Sequence, residues 1–85
     1  METEDLLDLI KEILSPEFKD GMVDVSLSGI RDNIHVVVMS RLFDNMPEWK
    51  KQETVSTILK YNSNLTDKEK QRISLIVALS PEDVK

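Results

Sequence analysis

The 85-residue sequence predicts an α+β domain of element order αββααβ, with helices covering one face of a three-stranded mixed sheet. Three observations support that prediction. An apolar stripe at helical spacing opens the chain, and two strand-like segments follow within reach of a hairpin. A third strand-like segment returns only after a helical crossover of about 30 residues, long enough to bring the chain back parallel. The middle strand is therefore expected at the centre of the sheet, antiparallel to the first and parallel to the third.

Thr3 is placed to cap a helix whose first turn holds Glu4 and Asp5, acids that suit the positive end of the helix dipole. Leu6, Leu7, Ile10, Ile13 and Leu14 then form one stripe, with Asp8, Lys11 and Glu12 outward. Ser15-Pro16-Glu17 ends that helix or starts a short extra turn, and Lys19-Asp20-Gly21 turns the chain. Val23, Val25 and Leu27 alternate with Asp24, Ser26 and Ser28, the pattern of a half-buried strand. Gly29 to Asn33 reads as the hairpin loop, and Ile34 to Ser40 as the second strand. Both alternating sets of that strand are mostly apolar, which suits a strand in mid-sheet.

Phe43 lies just beyond the strand, where a ring can be buried between sheet and helix. Asn45 and Pro47 open the next helix, whose apolar face is read as Val55, Ile58, Leu59 and Asn62, with Lys50, Lys51, Thr54 and Thr57 elsewhere. Asn62-Ser63-Asn64 breaks it. Thr66-Asp67-Lys68-Glu69 fits a capping box, so a short helix is expected from Asp67 to about Gln71. Arg72 to Leu79 reads as the third strand, and Ser80-Pro81-Glu82-Asp83 repeats the residue order of a helix start. Plain alternation turns the odd-numbered residues of strands one and three toward the helices. The open face is then expected to carry His35, Val37, Met39, Ile76 and Ala78 as a moderately apolar interaction surface.

Composition narrows the function classes. A single domain spanning 1–85 is all that this length supports. With no cysteine, thiolate metal sites, disulfides and thiol nucleophiles are excluded. The net charge of −5 is uneven: residues 1–24 hold eight acids against two bases, and residues 41–72 hold seven bases against five acids. An acidic chain of this kind is a poor nonspecific ligand for nucleic acid. No apolar run reaches the ~18 residues of a membrane span, and the N-terminus is acidic where a leader would be basic, so a cytoplasmic protein is expected.

The corner Leu42-Phe43-Asp44-Asn45-Met46 followed by Lys50-Lys51-Gln52-Glu53-Thr54-Val55, with Val38 and Ser40 before and Ser80-Pro81-Glu82 after, resembles the BolA family and within it the IbaG-like branch. The resemblance covers nearly the whole chain. It implies a KH-like fold of the second type and a non-enzymatic role. It also implies pairing with monothiol glutaredoxins around a shared two-iron, two-sulfur cluster, and in some members DNA-binding transcriptional regulation. The positions of the family's histidines are Asn33, Gln52 and Arg72 here, or Ser74 in place of Arg72 if the last strand slips by two. The family's corner glycine is Asn45. With neither the usual imidazoles nor cysteine, no metal ligand is assigned to this chain, and any iron–sulfur cluster is expected to be supplied by the partner.

The expected function is a BolA-like adaptor, with His35, Val37, Met39 and Ile76 as its partner surface. The alternative is a KH-like nucleic-acid-binding regulator using Lys50, Lys51, Lys60 and Arg72, with Lys68 and Lys70 nearby. Gly21 and Gly29 are too far apart to form the G-x-x-G loop that such a domain would use. Catalysis is not expected: the acids fall on helix faces or helix starts, and the lone His35 has no identifiable nucleophile beside it.

Overall fold

The computed structural model describes residues 3–29 and 33–84. The order is α1 (Thr3–Leu14), a 3-10 turn (Ser15–Phe18), β1 (Met22–Leu27), β2 (Ile34–Met39), a 3-10 turn (Arg41–Phe43), α2 (Glu48–Lys60), α3 (Asp67–Gln71), β3 (Ile73–Leu79) and a last 3-10 turn (Pro81–Val84). The sheet runs β1-β2-β3, with β2 antiparallel to β1 and parallel to β3. The predicted α+β, αββααβ arrangement is the one observed. Most of the expected hairpin loop, residues 30–32, lies outside the described residues.

One core joins the layers. Leu6, Ile10 and Leu14 of α1 and Val55 and Leu59 of α2 pack on the face of the sheet that carries Val25, Ile34, Val36, Val38 and Ala78. Phe18 and Leu65 complete it from the two connections. Neither was legible in the sequence, because each is an isolated apolar residue in a polar turn and carries no periodicity. The capping box forms as read: Glu69 N donates to Thr66 Oγ1 at 3.1 Å, and Thr66 N to Glu69 Oε1 at 2.8 Å.

Three devices build the corner after β2. Asp20 accepts from Ser40 Oγ at 2.8 Å and from Arg41 N at 2.9 Å, and Ser40 Oγ accepts from Leu42 N at 3.1 Å, so the 3-10 turn is tied to the turn that precedes β1. These bonds, the one from the Arg41 backbone foremost, hold the Asp20 carboxyl below its ordinary pKa. Phe43 is fully buried, its ring 5.3 Å from that of Phe18 and tilted by 42°. Asn45 adopts φ 64°, a left-handed conformation that glycine takes most easily and asparagine tolerates. The corner position read as a departure from glycine therefore keeps the backbone that glycine would supply.

The third strand departs from simple alternation. Residues aligned in a parallel pair share a face, and Ile34 aligns with Ile73 while His35 aligns with Leu75. Ser74 is thus the extra residue of a bulge, and beyond it every side chain lies on the opposite face from the one that counting by twos from Ile73 assigns. Ile76 and Ala78, expected on the open face, turn toward the helices instead: Ala78 is buried in the core and Ile76 packs against it. Leu75, Val77 and Leu79 take the open face.

Candidate functional site

The face of the sheet opposite the helices reads in three rows across the strands. Its register gives Met22–Met39–Leu79, Asp24–Val37–Val77 and Ser26–His35–Leu75. Six of these nine residues are apolar, and they are contiguous, so they form a patch rather than scattered exposed side chains. Met22 and Leu75, at opposite corners, are 56% and 45% exposed. The polar residues gather at one side: Asp24 and Ser26 on β1 and His35 beside them.

Of the partner residues expected from sequence, His35, Val37 and Met39 lie on this face. Ile76 does not, for the reason given by the bulge. Met22, Leu75, Val77 and Leu79 belong to the surface and escaped sequence reading, since nothing in the composition of β3 marks Ser74 as the residue that breaks alternation.

The positions where the resemblance would place histidines are dispersed. Gln52 lies on α2, and its Nε2 donates to the backbone oxygen of Ile76 at 3.2 Å, tying the helix to the outer edge of β3. Around that bond Trp49, Glu53, Ser56, Ser74 and Leu75 line a shallow groove of about 580 Å³. Arg72 sits before β3 with its guanidinium 3.5 Å from Thr3 Oγ1 at the start of α1. Asn33 precedes β2, and its backbone oxygen accepts from Ser28 N at 2.8 Å. Carboxamides and a guanidinium do not fit an iron–sulfur cluster, which takes thiolate or imidazole donors.

The basic residues expected to form a nucleic-acid surface do not make one patch. Lys51 leaves the set altogether: it is 4% exposed, its Nζ 2.8 Å from Asp83 Oδ2 and 3.2 Å from Glu48 Oε1. The sequence predicts it off the buried face, yet Lys51, Val55 and Leu59 recur at four-residue spacing on one buried stripe. The acids that make its burial tolerable are one turn away and 32 residues away. Lys60 and Lys70 do meet, through a hydrogen bond from Lys70 Nζ to Lys60 O at the C-terminal end of α2. Lys50 lies ten residues earlier on that helix, about 15 Å along its axis. Arg72 faces α1.

The Lys51–Asp83 contact joins α2 to the last 3-10 turn, 32 residues apart in the chain. Asp83 Oδ2 also accepts from Ser80 N at 2.9 Å, so one carboxylate closes the last turn and pins it to α2. The bond from Lys51 foremost, then that from Ser80, holds Asp83 below the usual carboxylate range; Asp83 in turn raises Lys51, against the opposing effect of burial. A lowered acid contributes stability that is complete above pH ~4 and lost as pH falls through its folded pKa. A raised lysine contributes stability that is complete below pH ~10.4 and lost as pH rises through its folded pKa. Asp83→Asn is therefore expected to lower the urea midpoint at neutral pH and to make its fall on acidification shallower. Asp20 supplies part of the remaining slope. An acid limb as steep as that of the wild type would show that the pair contributes nothing.

Fold and surface define a class: a small α+β domain with a three-stranded mixed sheet, helices on one face and an apolar opposite face. The chain matches no protein-family model and no curated protein. Among the described residues, no helix is long and apolar enough to cross a membrane.

Proposed function

We propose that this protein is a non-enzymatic adaptor of the BolA kind, which docks a protein partner on the open face of its sheet. The partner is a monothiol glutaredoxin or another iron–sulfur trafficking factor, and the setting is the cytoplasm. The observation that carries this reading is the contiguous apolar surface of Met22, Met39, Leu79, Val37, Val77 and Leu75. The element order and the Phe43-Asp44-Asn45 corner support the family assignment. Any cluster in the complex is held by ligands of the partner, because the residues at the histidine positions are Asn33, Gln52 and Arg72.

Mixing the protein with a cluster-loaded monothiol glutaredoxin tests the reading by co-purification and by the visible spectrum of the cluster. A stable complex is expected, with binding lost in Val37→Asp, and with the spectrum insensitive to His35→Ala. Absence of a complex would overturn the adaptor reading. A spectral shift abolished by His35→Ala would overturn the part that leaves ligation to the partner.

A further inference from the structure

We propose that a second copy of this chain covers the open sheet face when the heterologous partner is absent, as an isologous dimer with the two sheets crossed at a steep angle. The proposal rests on the docking role just given to that face and adds its regulation: self-pairing occupies the surface that the partner must reach.

The pattern of the face is self-complementary in one orientation. Val37 sits at the centre of the three rows, so a two-fold axis through it brings each residue over its image. An axis along the strands would set Asp24 over Val77 of the second copy. An axis across them would set Asp24 over its own equivalent, and an axis along the Met22–Val37–Leu75 diagonal would set it over Met39. Each of these buries a carboxylate against an apolar or a like-charged group.

The remaining diagonal, Leu79–Val37–Ser26, sets Asp24 over His35 of the second copy, and His35 over Asp24. Among the nine described residues of the face, the one acid then meets the one imidazole, whose N–H donates to the carboxylate. The same operation sets Met22 over Leu75, the two most exposed apolar residues of the face, and Met39 over Val77. Leu79, Val37 and Ser26 meet their own equivalents. Sheets packed face to face at a steep angle are an established geometry.

The footprint limits the strength. Three strands ~4.8 Å apart, with six residues rising ~3.3 Å each, give a face of roughly 14 by 20 Å. That is well under the ~800 Å² per partner of a standard stable interface, so the dimer is weak and yields to a better-fitting partner.

Sedimentation of the full chain from low micromolar to millimolar concentration tests the proposal. A concentration-dependent shift from monomer to dimer is expected. Asp24→Lys is expected to weaken the dimer about tenfold or more by setting a cation over the imidazole, and adding His35→Asp to that variant to restore it. Val37→Asp is expected to hold the chain monomeric with an unchanged circular dichroism spectrum; should it unfold, the Asp24 and His35 variants carry the test. A monomer across the whole range, or a dimer indifferent to Asp24→Lys, would overturn the proposal. Its failure is separable from that of the adaptor reading. A monomeric protein that loses glutaredoxin on Val37→Asp keeps the docking role and rejects self-pairing, and a dimer that binds no glutaredoxin does the reverse.

Discussion

Replacing Phe43 by alanine is expected to cost about 3–5 kcal/mol, the sum of lost burial and the cavity left behind. Phe43 has no solvent exposure and stacks, tilted, on Phe18, so the substitution also removes an aromatic pair. The ring sits where β2, the corner and α2 meet, and the Asn45 conformation and the Asp20 cap hold the backbone around it. Collapse of neighbouring side chains into the cavity is therefore limited. Against a net stability of about 5–15 kcal/mol for small domains, the loss takes much of what holds the chain folded. Urea titration followed by circular dichroism measures it: the midpoint falls steeply while the slope is retained. Phe43→Leu, which keeps most of the volume, is expected to recover the larger part. A midpoint unmoved by Phe43→Ala would mean that the ring is not in the core.

Gly21→Ala is expected to be comparably severe, for a reason unrelated to backbone flexibility. A Cβ at Gly21 would lie 1.7 Å from the carbonyl oxygen of Met39, 2.8 Å from its carbon and 3.0 Å from Ser40 Cα. All three are backbone atoms at the end of the central strand, so no side chain can swing aside. Relief requires separating the Met22–Met39 end of the hairpin, or pushing the corner away from Asp20 and breaking its bonds to Ser40 and Arg41. Overpacking a core usually costs 1–3 kcal/mol and occasionally more; a backbone clash belongs at about 3 kcal/mol or above. Gly29→Ala is the matched control. Gly29 has φ 84° with open space around it, so alanine there meets only the left-handed backbone penalty of about 1–2 kcal/mol. Equal urea midpoints for the two variants would show that the close approach at Gly21 does not exist.

Features legible in the sequence and those that are not differ in how far away their causes lie. The α1 stripe, the alternation of β1, the apolar run of β2 and the Thr66–Glu69 capping box were legible because each is set by residues within a turn or two of one another. The mixed sheet followed from the lengths of the connections, since a short loop permits only antiparallel return and a helical crossover permits parallel. Phe43 was legible for a related reason: a large ring at a strand-to-helix corner has only the interior to occupy. Phe18 and Leu65 were not, and neither was the surface of β3, where one bulge residue exchanges which side chains are buried.

Element order, strand directions and most of the core follow from the order of residues, because burial periodicity, turn chemistry and connection length are local properties of the chain. Long-range packing sets the rest: Lys51 is buried against Asp83, Gly21 lies against the backbone of Met39, and Leu75, Val77 and Leu79 rather than Ile76 and Ala78 complete the open face. Each of these depends on an atom supplied from elsewhere in the chain. Whether a charge can be buried, a glycine replaced or a strand's alternation kept is set by the partner it meets, and partners separated by tens of residues leave no periodic mark.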